Sequence, residues 1–130
     1  MKQGMNRRMQ DGFTLIELLV VMAIIATLLT IAVPRYMNSV ERSKEAVLHE
    51  TLAVTRQALD KYYADNGKYP DSLEDLVGKK YLRSLPFDPI IGNAETWLIV
   101  HPNVPEKGEV FDIRSSALGN ARDGTEYKDW

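Results

Sequence analysis

The 130-residue sequence predicts an α+β fold: one long amino-terminal helix whose second half packs on a small antiparallel β-sheet domain. Three observations lead there. Residues 13–33 form an apolar run interrupted by a single charge. Beyond Pro34 the apolar positions recur at helical spacing as far as Tyr62, and after Gly67 the pattern changes to turns and short alternating stretches.

The first element is a basic leader. Residues 1–12 hold Lys2, Arg7 and Arg8 against Asp11, a net of +2 that leaves −4 for the rest of a chain whose total is −2. Basic, then apolar, then mixed polar is the order of a targeting or anchoring segment. The near balance of charge, 16 basic against 18 acidic residues, leaves no basic footprint for nucleic acid. The absence of cysteine excludes disulfides, thiolate metal sites and a cysteine nucleophile.

The second element, residues 13–34, is expected to span a membrane. Its 21 apolar-run residues, FTLIELLVVMAIIATLLTIAV, reach about 31 Å as a helix, close to the ~30 Å of a hydrocarbon core. A cleaved secretory signal is shorter and ends in a small-x-small site, which does not follow here. The run is therefore expected to stay in the protein, with its basic flank in the cytoplasm and the remainder outside. Glu17 breaks the run. An acid at mid-bilayer costs about 2.5–3.5 kcal/mol on insertion scales, and such residues usually have a partner and a task. The alternative is that Glu17, near the helix start, snorkels to the interface.

These residues carry a resemblance. Gly12-Phe13-Thr14-Leu15-Ile16-Glu17 resembles the cleavage motif of the type IV pilin-like family, and the similarity extends over residues 7–34. The resemblance implies a cut after Gly12 by a prepilin peptidase and methylation of the new amino terminus at Phe13. It also implies an assembly role for Glu17. A cut there frees a positive amine on Phe13, about one turn from Glu17. In a packed array the carboxylate can pair with a neighbour's amine, which offsets the penalty of an unpaired charge in a low-dielectric setting.

The third element, residues 35–66, is the amphipathic half of the helix. Pro34 stands 22 residues into the expected mature chain and should kink or locally melt the helix, since it cannot donate to the ladder. Tyr36, Val40, Val47, Val54, Ala58 and Tyr62 recur at helical spacing, widened by Leu48, Leu52 and Leu59. Glu41, Arg42, Lys44, Glu45, Glu50, Arg56, Gln57 and Asp60 are assigned to the other face. Asn66-Gly67 is the expected stop, because glycine suits the left-handed cap.

Residues 67–130 make a small α/β region with an acidic carboxyl-terminal loop. Asp71 to Gly78 reads as a short helix, with Asp71 and Glu74 at capping-box spacing and Gly78 as terminator. Ser84 to Pro89 and Gly92-Asn93 read as turns, and Pro102 to Gly108 as a loop. Thr96–Val100 and Glu109–Ser115 read as two strands, expected to pair antiparallel and pack Trp97, Ile99, Val110 or Phe111 onto the helix. Residues 116–130 read as irregular. The order D-N-G-K-Y-P, Y-L-x-x-L-P-x-D-P, then G-N and a Trp-led strand is similar to the major-pseudopilin branch of type II secretion systems.

That resemblance implies a structural, non-enzymatic homopolymer: a pseudopilus filament assembled from the bacterial inner membrane. Its implied partners are the assembly platform and minor pseudopilins, with the carboxyl-terminal domain periplasmic and the filament in the periplasm or at the cell surface. Two alternatives stay open: the major subunit of a type IV pilus, and a single-span anchored binding module. The absence of cysteine tilts toward the pseudopilin, and a lone anchor has no use for a cut at Gly12 or an acid at Glu17. Neither His49 nor His101 stands in ligand-like spacing, and no catalytic motif is present. His49 is read as solvent-facing and His101 as lying at a strand end. The same resemblance implies calcium in the final loop. Asp112, Ser115, Ser116 and Asp123, with carbonyls, are the candidate oxygens. A solvated turn fits the residues better, because the tail departs from the family's loop and Arg122 sits beside Asp123.

Overall fold

A computed structural model describes Gly4 and residues 12–130; the leader residues Lys2, Arg7, Arg8 and Asp11 lie outside the described residues. The chain divides into two compact units, Met1–Asn38 and Ser39–Trp130. The elements, in order, are α1 (Leu15–Asn66), α2 (Leu73–Gly78), β1 (Leu98–Val100) and β2 (Asp112–Arg114), with single 3-10 turns at Pro105–Lys107 and Tyr127–Asp129.

In the first unit every described residue is exposed. The helix assignment runs unbroken through Pro34, so the backbone is not locally melted there. Two hydroxyls inside the apolar run are satisfied within the helix: Thr27 Oγ1 donates to the Ala23 carbonyl at 2.8 Å and Thr30 Oγ1 to the Ala26 carbonyl at 2.7 Å. This back-bonding removes the cost of carrying threonine into a non-aqueous setting.

The second unit is built on the remainder of α1. Its buried face is Leu48, Leu52, Thr55, Ala58, Leu59 and Tyr62. Leu48, Leu52, Ala58, Leu59 and Tyr62 of the expected stripe are buried, and three of its other members are not. Tyr36, Val47 and Val54 are exposed, while the leucines at 48, 52 and 59 form the middle of the buried face. One residue is about 100° of helix, and the long leucines reach farther into a core than valine, so they set the packed side. Thr55 enters the core because its hydroxyl donates to the Thr51 carbonyl at 2.7 Å.

Helix α1 stops where expected, with Gly67 at φ 73° and its amide donating to the Tyr63 carbonyl at 2.8 Å. Helix α2 departs from expectation at both ends. Its N-cap is Ser72, and the carboxylate reaching back is that of Asp75, which accepts the Asp71 N–H at 3.2 Å. Glu74 takes no part in this, and because the Ser72 side chain makes no cap hydrogen bond, the expected reciprocal box does not form. At the other end Gly78 is the last helical residue and Lys80 adopts the left-handed conformation, φ 64°. The Tyr81 amide donates to the Leu76 carbonyl at 2.8 Å and the Lys80 amide to the Val77 carbonyl at 3.1 Å, a Schellman closure without glycine.

The strands pair antiparallel as expected, in the register Leu98↔Arg114, Ile99↔Ile113 and Val100↔Asp112. Trp97 and Val110 are buried, but Ile99 and Phe111 are substantially exposed, and Ile113 fills the core instead. The Trp97 indole N–H donates to the Pro86 carbonyl at 2.8 Å, which satisfies its one polar atom in the interior. Asp88 and Asn93 pair across the turn that holds Gly92, with the Asp88 amide donating to the Asn93 carbonyl at 2.8 Å. The final segment is more ordered than an irregular tail: Asn120 and Glu126 form a bridge, followed by the turn at Tyr127–Asp129.

Candidate functional site

The first candidate site lies at the start of α1. Gly12 and Phe13 precede the helix and are exposed, Phe13 by 89%. Thr14 and Glu17 close a reciprocal pair. The Glu17 amide donates to Thr14 Oγ1 at 3.2 Å, and the Thr14 amide donates to Glu17 Oε2 at 3.3 Å. This T-x-x-E capping box satisfies two of the amides that a helix start leaves without partners. The signal was present in the sequence at the usual spacing, but a charge in an apolar run drew attention to Glu17 alone.

Downstream, α1 carries the one stretch among the described residues that is long and apolar enough to cross a membrane, and none of its apolar window is buried within the chain. Leu15, Ile16, Leu19, Met22, Leu28 and Ile31 are each more than half exposed. Apolar surface of this extent on a chain that also builds a proper core marks a surface meant for lipid or another protein. Pro34 is exposed and inside the helix.

The second candidate region is the carboxyl-terminal loop. The structure does not gather the expected calcium ligands. Asp112 Oδ1 accepts from Arg56 Nε at 2.9 Å and from the Ile113 amide at 2.7 Å. Ser115 is fully buried and its hydroxyl donates to Asp88 Oδ2 at 2.5 Å; the other Asp88 oxygen caps the Ile90 amide at 2.9 Å. Asp123 Oδ1 accepts from the Thr125 hydroxyl at 2.6 Å and amide at 2.9 Å, and these bonds hold its carboxyl below the usual carboxylate range. Among the described residues no three His, Cys, Asp or Glu side chains converge as a metal-ligand group. Calcium needs six to eight oxygens, and the residues as arranged do not fit it.

Side chains assigned to the outer face of α1 hold this loop instead. Glu45 Oε1 accepts the Arg122 amide at 2.9 Å and the Tyr127 hydroxyl at 3.2 Å. The imidazole of His49 is not simply solvent-facing: it stacks on the Trp130 indole, centroids 3.8 Å apart and planes 10° from parallel. Arg56 bridges to Asp112 and to main-chain oxygens. The sequence signal was their spacing: 45, 49 and 56 share a helix face with buried Leu52. His101 lies just after β1, its Nδ1 2.8 Å from the Glu109 carbonyl.

Comparison with known proteins places the motif and the whole chain. A family model described as the prokaryotic N-terminal methylation motif matches residues 7–33. The type II secretion system core protein G of Pseudomonas aeruginosa is 38% identical, over 94% of this chain and 93% of that protein. The fimbrial protein EcpC of Eikenella corrodens is 30% identical over 93% and 82%. The core protein G of Aeromonas hydrophila is 33% identical over 65% and 71%. No solved structure matches.

Proposed function

This chain belongs to the family of type II secretion system core protein G, the major-pseudopilin family, and from that premise we propose how it works. It is a structural subunit, with no catalytic role, of a pseudopilus that supports type II protein secretion. A prepilin peptidase cuts after Gly12 and Phe13 becomes the methylated amino terminus. The apolar half of α1 first anchors the subunit as a single span in the inner membrane, with the domain built on Ser39–Trp130 in the periplasm. It then packs against the same helix of neighbouring copies as the subunit is drawn into the filament. The inner-membrane assembly platform and minor pseudopilins are the other partners.

The observation that carries this reading is the wholly uncovered apolar segment of α1 with one acid in its first turn. Lipid covers the apolar surface but leaves the acid costly, whereas a bundle of identical helices covers both, because each copy brings a positive amine at Phe13. A contact that repeats head-to-tail without closing builds an open filament. Pro34 removes one ladder hydrogen bond where the anchoring and domain-bearing parts of α1 meet, and we assign it the kink that lets the apolar half adjust during packing. The likeness to a fimbrial protein keeps a surface pilus as the alternative assembly, but core protein G relatives recur more widely among the matches.

The test is mass spectrometry of the protein from its native membrane, combined with electron microscopy. The expected mature chain starts at N-methylated Phe13 and occurs in filaments, and deleting its gene halts type II secretion. A chain recovered with Met1 attached, or one found as monomers alone, refutes the proposal.

A further inference from the structure

The loop from Ser115 to Trp130 is tied down by one positive charge from α1. Arg56 donates from Nε to Asp112 Oδ1 at 2.9 Å. From Nη2 it reaches the main-chain oxygens of Trp130 at 2.7 Å and Ile113 at 3.3 Å. One carboxylate oxygen and two main-chain oxygens, drawn from β2 and the end of the loop, thus converge on a single cation. Carboxylate plus carbonyl is the donor class that a hard divalent ion recruits when it closes a loop. Here the positive charge is covalently part of the chain, and its planar fork holds separate acceptors in fixed directions.

We infer that Arg56 is a resident cation that closes the carboxyl-terminal loop in place of a bound metal ion, which makes this loop independent of calcium. Two further features agree. The three carboxylates that the candidate ion site would draw on are already engaged: Asp112 by Arg56 and the Ile113 amide, Asp88 by Ser115 and the Ile90 amide, Asp123 by Thr125. A divalent ion brought to the Asp112 oxygens would also lie against the guanidinium, and like charges at such a distance repel. The loop has independent fastenings besides, at Glu45 and through the stacking of Trp130 on His49.

Thermal unfolding of the full chain in detergent, followed by circular dichroism, tests this. With excess EDTA or with millimolar calcium chloride the wild-type melting temperature is expected to agree within about 1 °C, since a ligand that does not bind the folded state cannot stabilise it. Arg56→Met is expected to lower the melting temperature by about 5 °C, the shift that a loss near 1 kcal/mol gives in a domain of this size. It should also open the loop to trypsin at Arg122 and Lys128. Arg56→Lys, which keeps the charge but loses the fork, should fall between the two. Stabilisation of the wild type by calcium, or its destabilisation by EDTA, overturns the inference. So does an Arg56→Met chain that melts and resists trypsin like the wild type. If Arg56→Met does not fold, the wild-type metal comparison and Asp112→Asn, which keeps an acceptor but removes the charge, decide in the same way.

Discussion

Thr14 and Glu17 hold each other's backbone amides at the start of α1, at 3.2 and 3.3 Å. In water such a box adds modestly to helix stability. In a bilayer or a helix bundle no solvent is available to satisfy those amides, so the box matters more. Glu17 caps its own helix, and under the proposed assembly it would have a second, separable task, to offer a charge to a neighbour's amine. Glu17→Gln keeps the hydrogen-bonding geometry and removes the charge, whereas Glu17→Ala removes both. If the charge drives recruitment, both variants are processed after Gly12 and both give few filaments by electron microscopy. Filaments from Glu17→Gln at the wild-type level would show that capping alone is required. Thr14→Val, which keeps the acid and loses the hydroxyl, should reduce assembly less than either.

Asp88 and Ser115 make a side-chain hydrogen bond inside the domain, 2% and 0% exposed. The Asp88 carboxylate also caps the amides of the turn that follows it. Ser115→Ala leaves one buried carboxylate oxygen without its hydroxyl, a loss expected to cost about 1–3 kcal/mol. Chemical denaturation of the full chain in detergent should show the midpoint falling with little change in slope. An unchanged midpoint would mean that water reaches Asp88 freely.

Three tyrosines have hydroxyls raised above their ordinary value. Burial does this first at Tyr69, helped by the nearby charge of Asp60. At Tyr81 the main cause is its hydrogen bond to Asp65, and at Tyr127 it is burial followed by the bond to Glu45. In each case the folded chain holds the proton more tightly than the unfolded chain. The stabilising contribution is therefore complete below about pH 10, the unfolded value, and is lost as pH rises through the folded values. Ultraviolet titration should show part of the tyrosine signal ionising late, together with alkaline unfolding. Tyr127→Phe should remove one late step.

Much of this was legible in the sequence, because it rested on strong and local signals. The apolar run, the acid at Glu17, the Gly67 stop and the antiparallel pairing each follow from periodicity or from one residue's stereochemistry. What was misread depended on neighbours distant in sequence. Val47 and Val54 fit a helical stripe as well as Leu48 and Leu52 do, and only the shape of the opposing domain selects the leucines. Ile113 buries where Ile99 does not, although the two stand opposite one another. Arg56 looked like a solvated charge because its acceptors lie 56 and more residues away. Calcium came from the resemblance, beside a solvated turn that fitted the residues better, and neither reading could reveal that Asp112 is paired with Arg56.

Backbone positions of left-handed conformation offer the sharpest local test. Lys80 sits at φ 64° as the residue closing α2, a conformation that costs a side chain about 1 kcal/mol and glycine little. Part of that gain is returned as lost chain entropy, so Lys80→Gly should stabilise the chain by about 0.5 kcal/mol. Gly67 and Gly108 serve as paired controls. A Cβ at Gly67 would meet nothing within 4 Å, so Gly67→Ala should cost only the left-handed penalty, about 1 kcal/mol. A Cβ at Gly108 would lie 2.1 Å from the Tyr69 carbonyl oxygen, which is backbone and cannot turn aside. The Tyr69 amide is itself bonded to the Lys107 carbonyl at 2.7 Å, so Gly108→Ala must separate two segments that are stitched together. Its loss should exceed that of Gly67→Ala several-fold, and denaturant midpoints of the three variants measured side by side will rank them. Equal losses at Gly67 and Gly108 would mean that the 107–110 turn does not press on Tyr69 as described.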